Sequence, residues 1–182
     1  VPLLNTSNQS FVVEPGMRDR KVYLPRGAAW YDYWSGDFFM GGQEIVLPAP
    51  WDRPPLLVRE ASILPLNLAK QHFGQRRDER GFVIFPCRDG GTIEDRFFED
   101  DGESLLNQKS GWGEWKIRVI ADAHELQLEV AVLGEVSVAT DCLTILLPRQ
   151  EIRVVRTETG KIASDVITEE WREIQINNLR MN

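Results

Sequence analysis

Glu125-Leu126-Gln127-Leu128-Glu129-Val130-Ala131-Val132 decides the fold class. Leu126, Leu128, Val130 and Val132 fall on one side of a period of two, and Glu125, Gln127 and Glu129 fall on the other. That is the pattern of a strand with one buried and one wetted face. The same period recurs upstream, where Trp115, Ile117 and Val119 alternate with Lys116 and Arg118, and downstream around Ile152–Val154 and Ile174–Ile176. Further β-rich runs are Lys21–Leu24, Ala29–Trp34, Glu44–Leu47, Leu56–Val58, Gly81–Pro86, Asp95–Glu99 and Leu143–Leu147. Frequent turn signals separate them: Pro25-Arg26-Gly27, Ser35-Gly36-Asp37, Gly41-Gly42, Asp89-Gly90-Gly91, Asp101-Gly102 and Thr159-Gly160. Many short strands with close punctuation mean an all-β protein of sandwich or barrel type. Only Asp165–Glu173 invites a helix, and there Val166, Ile167 and Thr168 favour strand.

Composition divides the chain. Residues 1–70 hold seven Lys or Arg against seven Asp or Glu, and residues 71–182 hold fourteen against twenty-one. Eight of the ten prolines precede residue 70. The shift coincides with the polar stretch Lys70–Arg80, which predicts two antiparallel β-sandwich domains in tandem: 1–70, a linker over 71–80, and 81–182. An overall charge of -7 with all the excess acid in the second part argues against nucleic acid or an anionic membrane as partner. No apolar run approaches the ~20 residues that span a bilayer. Cys87 and Cys142 have neither metal nor disulfide-framework spacing and are expected as buried thiols. The opening Val1-Pro2-Leu3-Leu4 shows no signal pattern and reads as a cut through a longer polypeptide. The compartment is left to the rest of that polypeptide and is unknown from this sequence, with the cytoplasm favoured.

Between residues 22 and 65 lies an ordered series of motifs. Val22-Tyr23-Leu24-Pro25 leads to Trp30-Tyr31-Asp32-Tyr33-Trp34-Ser35-Gly36, then Gly41-Gly42 and Ala49-Pro50-Trp51-Asp52. Pro55-Leu56-Leu57-Val58-Arg59-Glu60-Ala61-Ser62-Ile63-Leu64-Pro65 closes the series. It resembles the segment that follows the catalytic barrel in glycoside hydrolase family 31, which contains α-glucosidases and α-xylosidases. Phe97-Phe98-Glu99-Asp100-Asp101-Gly102-Glu103-Ser104 is similar to the aromatic-acidic turn of that family's distal C-terminal domain. The resemblance implies proximal plus distal C-terminal sandwiches that pack on a catalytic barrel of the same polypeptide. It also implies that the two catalytic aspartates belong to the barrel, one of them in a Trp-x-Asp-Met-Asn-Glu-type strand end. That motif is absent here, as is any βαβ alternation. No catalytic residue and no cofactor are therefore expected in this chain.

Each candidate site has a plainer structural reading beside it. Trp30, Asp32 and Trp34 share one face of their strand and Tyr31 and Tyr33 the other. Rings there could carry sugar, but core and barrel packing is preferred because each buries ~150–250 Å². Asp32 between two tryptophans needs a partner if buried, either a hydrogen bond or Arg26, Arg53 or Arg59. Trp30, Asp32, Trp34, Trp51, Asp52, Arg53 and Arg59 are the expected structural and barrel-facing anchors, and Asp52 or Arg53 is a candidate brace for active-site loops. Pro48, Pro50, Trp51, Pro54, Pro55 and Leu56 are the expected apolar patch on a detached module. A carbohydrate-binding module would instead need exposed rings in a row, for which Trp112 and Trp115 are the candidates.

The acidic cluster Glu94, Asp95, Glu99, Asp100, Asp101 and Glu103 cannot place two carboxyls across a cleft at glycosidase separation, because neighbouring turn residues do not face one another. Asp100, Asp101 and Glu103 offer hard oxygens for calcium, but the EF-hand ligand pattern is missing, and a self-capped turn is preferred. No metal is assigned. His72 and His124 lack zinc spacing, and Ser62 lacks the Gly-x-Ser-x-Gly elbow.

Overall fold

Alternation becomes register in the second half of the chain. β10 (Gly113–Ala121) and β11 (Glu125–Gly134) run antiparallel, with Trp115 opposite Val132, Ile117 opposite Val130 and Val119 opposite Leu128. All six are buried, as one-sided apolar strands require. The computed structural model describes residues 7–9, 18–67, 79–99, 113–134 and 142–179. Among these there are fifteen strands and no helix. The expected linker falls largely outside them.

The first sandwich has a four-stranded sheet in the order β1-β6-β3-β4: β1 (Ser7–Gln9), β6 (Leu56–Arg59), β3 (Ala29–Asp32) and β4 (Phe38–Met40). Opposite it stands the two-stranded sheet of β2 (Asp19–Leu24) and β5 (Gln43–Pro48). Val22, Leu24, Trp30, Leu47 and Leu57 close the small core between them.

The second sandwich packs the sheet β13-β11-β10-β9 against the sheet β14-β15-β12-β8-β7. Its remaining strands are β7 (Ser62–Asn67), β8 (Glu79–Phe85), β9 (Gly91–Glu99), β12 (Cys142–Pro148), β13 (Val154–Thr157), β14 (Lys161–Ile167) and β15 (Trp171–Asn177). Pairing is antiparallel except for β8–β12 and β11–β13. Asp165–Glu173 is thus two strands joined by a turn, in which Thr168 Oγ1 accepts the Trp171 N–H at 3.0 Å and donates to the Trp171 carbonyl at 2.8 Å.

The five-stranded sheet is covered on both faces. Phe82 and Ile84 of β8 enter the second core, while Val83 and Phe85 turn the other way. There they meet Tyr31 and Val58 of the first sandwich, with Tyr33, Phe38, Leu64, Leu66, Leu146 and Trp171 around them. Burial of both faces explains why Gly81–Pro86 reads as a continuous apolar run. The molecule is a stack of four sheets, and the junction between its halves is a third core.

Strand pairing runs across the boundary that composition suggests. β7 lies within residues 1–70, yet it hydrogen-bonds to β8, with Ser62 opposite Phe85 and Asn67 opposite Arg80. β8 itself begins inside the expected linker.

Candidate functional site

The chain leaves β3 through an acidic turn. Asp32 is buried, and its Oδ1 accepts the backbone N–H groups of Trp34 at 2.8 Å and Ser35 at 2.9 Å. The expected partner is therefore main chain rather than an arginine, because a short Asx side chain reaches its own downstream amides first. Gly36 follows at φ +72° and donates to the Asp32 carbonyl at 2.9 Å. A Cβ there would collide with Gln150, whose Nε2 donates to the Ser35 carbonyl at 2.6 Å.

This turn sets Trp34, and Trp34 sets the next loop. Its indole Nε1 donates to the Pro54 carbonyl at 2.8 Å, and its ring meets Tyr33 edge-on at 5.0 Å. The Arg53 guanidinium lies 5.9 Å from that ring and pairs with Glu170 at 3.0 Å. Residues 50–53 form a tight turn closed by the Arg53 N–H on the Pro50 carbonyl at 3.2 Å, and Ala49 is tied to the Arg18 carbonyl at 2.6 Å. At the tip of this braced turn Trp51 is 93% exposed.

Pro48, Pro50 and Pro54 are exposed beside Trp51, but Pro55 is buried and Leu56 half-buried, so the expected patch loses its last two members. Tyr23 and Val46, on the outward side of the β2–β5 pair, are exposed as well. The Lys21/Tyr23 and Val22/Leu24 alternation already places Tyr23 outward, a signal that the motif series obscures. Asp52 and Arg59 are exposed.

The other face of β3 is the junction. Tyr31 is buried and donates its hydroxyl to the Pro86 carbonyl at 3.0 Å. Burial raises its pKa far above the usual tyrosine value, and the charges of Glu60 and Glu151 push the same way. Tyr33 is raised too, by burial and then by Glu170, and its ring meets Trp171 at 5.0 Å.

Trp115 is 2% exposed and packs edge-on against Phe82 at 5.8 Å. Sharing a face with Ile117 and Val119 puts it in the core and denies it a role in an exposed platform. Trp112, Asp100, Asp101 and Glu103 lie outside the described residues. Of the other acidic candidates, Glu94 pairs with Lys116 at 3.1 Å, and Asp95 Oδ1 accepts the Arg96 N–H at 2.8 Å. Among the described residues no three His, Cys, Asp or Glu are grouped to hold a metal. Cys87 and Cys142 are both half-buried, and burial raises the Cys87 thiol.

Residues 9–64 match the sequence profile of the glycosyl hydrolase family 31 C-terminal domain. The α-xylosidase of Saccharolobus solfataricus is 30% identical over 122 residues, which is 64% of this chain and 16% of that protein. A probable maltase-glucoamylase 2 of Homo sapiens is 35% identical over 101 residues, 55% of this chain and 4% of that protein. Among solved structures, the family 31 α-xylosidase of Xanthomonas citri aligns with a TM-score of 0.63 and 25% identity. That alignment covers 95% of this chain and 18% of the xylosidase. The chain spans less than a quarter of the length of each of these relatives.

Proposed function

We propose that the chain is a non-catalytic accessory unit from the C-terminal region of a family 31 glycosyl hydrolase, the family whose C-terminal domain profile residues 9–64 match. In this reading the longer polypeptide hydrolyses α-glycosidic bonds, in the manner of an α-glucosidase or α-xylosidase. The two sandwiches cover one side of its catalytic barrel.

Trp51 carries the proposal. An indole that could bury ~150–250 Å² stands in solvent on a turn that Trp34, Arg53 and Ala49 hold rigid. Rigid exposed tryptophans are what interface hot spots are made of, since little ordering entropy remains to be lost on docking. Pro48 and Pro50 are exposed just before it in the chain, and Val46 and Tyr23 are exposed on the outward face of the β2–β5 pair. Trp51 and Arg53 thus act as docking anchor and brace, and Asp52 stands between them at the tip.

The test is Trp51→Ala in two settings. In the isolated chain the change should move stability by less than about 0.5 kcal/mol, as for exposed surface residues. In the longer polypeptide it should cost about 2–4 kcal/mol, the range of a buried interface anchor. The isolated chain should not hydrolyse p-nitrophenyl α-glucoside or α-xyloside, and the longer polypeptide should hydrolyse one of them. Equal stability losses in both settings, or turnover by the isolated chain, would defeat the proposal.

A further inference from the structure

Between the two sandwiches lies a cleft of about 240 Å³ that the docking reading does not use. The first sandwich contributes Tyr31, Asp37 and Phe38, and the second contributes Arg88, Gln150 and Glu151. We propose that this cleft binds one neutral polyol of monosaccharide size.

The floor is rigid and electrically closed. Glu151 and Arg153 pair at 2.6 Å with both side chains only 9% exposed. Arg153 also donates from Nε to Glu151 Oε1 at 2.8 Å, and from one terminal nitrogen to the Cys87 and Asp122 carbonyls at 2.9 and 3.0 Å. With the second terminal nitrogen on Glu151 Oε2 at 2.6 Å, four of its five guanidinium N–H donors are taken up within the floor.

The rim is the opposite. Arg88 is exposed and held in place: its backbone N–H donates to Glu60 Oε1 at 2.6 Å, and its guanidinium lies 4.8 Å from the centre of the Phe38 ring. No carboxylate among the described residues pairs with that guanidinium. Asp37 is exposed too. Its main chain is used at both ends, accepting from Asp32 N and donating to Ser35 Oγ, but its carboxylate accepts nothing among the described residues. A strong donor and a strong acceptor are thus left open on one rim, with no net charge between them.

That pairing selects the ligand class. A carboxylate or phosphate would meet Arg88 but be repelled by Asp37, and a cation would meet the reverse. A neutral molecule with several hydroxyls satisfies both, because guanidinium and carboxylate each form charge-assisted bonds with hydroxyl groups. The cleft is smaller than the roughly 300–1,000 Å³ of sites that hold drug-sized ligands, so it suits a single ring.

The experiment is a titration of the chain with methyl α-D-glucopyranoside and methyl α-D-xylopyranoside up to tens of millimolar, followed by amide chemical shifts and thermal stability. Binding should shift Gly36, Asp37, Phe38, Arg88 and Gln150 and raise Tm with ligand concentration, since only the folded state offers the site. Arg88→Ala and Asp37→Ala should each weaken binding at least tenfold and leave the ligand-free Tm in place, both side chains being exposed. Arg156→Ala, in the separate groove lined by Glu125, Gln127 and Lys161, should change nothing. No shifts at the highest sugar concentration would overturn the proposal. So would equal or tighter binding of acetate or glycine, which would make the cleft a charge site.

Discussion

The two sandwiches of the molecule are built on unequal means. The second encloses eighteen buried apolar residues among those described, and the first encloses five between its sheets. The second therefore has a core of the kind that sustains an independent fold, while the first is too small to be stable on its own burial. What the first lacks is supplied at the junction, where Tyr31 and Val58 share a core with Val83 and Phe85. The difference teaches that the motif-rich half of the chain leans on the motif-poor half.

The largest test of this dependence is Phe85→Ala. Phe85 is fully buried, with the rings of Tyr31, Tyr33 and Trp171 at 5.4, 6.1 and 6.1 Å. Removing a buried phenyl ring costs about 3–5 kcal/mol. In a domain of this size that lowers Tm by roughly 6–20 °C. Followed by circular dichroism and tryptophan fluorescence, the variant should unfold in one depressed transition. Two separated transitions, with the second sandwich unmoved, would break the comparison and make the halves independent.

A smaller effect separates the halves by acid. Burial pushes Glu151 up, but the side chain and backbone N–H of Arg153 more than offset it, and its pKa is lowered. Arg172 holds Asp165 low by a hydrogen bond, with distances of 2.8 and 2.6 Å between their side chains. A carboxyl with a depressed folded-state pKa stabilises the fold above its unfolded-state value of about 4. That stability fades as pH falls through the lower folded-state value, because the unfolded chain then takes up protons first. In the first sandwich the ion pairs among the described residues, Lys21–Glu44 and Arg53–Glu170, are exposed. Tm should therefore fall as pH drops below about 4, and the slope should flatten in Glu151→Gln and Asp165→Asn. An unchanged slope in both variants would move the acid sensitivity elsewhere.

Strands with one wet face are readable because alternation leaves no other option, and β10 and β11 stand where their pattern puts them. β7 escapes such a reading for a physical reason. Pro65 sits inside it and argues against a ladder strand, but β7 is the edge of its sheet, where proline is tolerated. β4 has only three residues and no alternation to show. The division of β3 is legible in part, since Trp30 and Tyr31 do face opposite cores. That the Tyr31 face meets another sheet of the same chain depends on long-range packing, which no local pattern encodes. The open rim at Asp37 and Arg88 is hidden likewise, because it joins side chains from two different sandwiches.

The smallest expected effect probes who holds the Trp51 turn. Arg53 reaches across the junction to Glu170, but both side chains are about half exposed, at 50% and 54%. Such pairs are worth about 0.2–1 kcal/mol and weaken with salt. A double-mutant cycle with Arg53→Ala and Glu170→Ala should therefore return a coupling below about 1 kcal/mol that shrinks as ionic strength rises. The Trp34 indole bond to Pro54 lies within the first sandwich and is far less open to screening, so the turn should survive loss of the ion pair. A coupling well above that range, insensitive to salt, would mean that the docking turn is held from the second sandwich. The first would then depend on its neighbour for the pose of Trp51 as well as for its core.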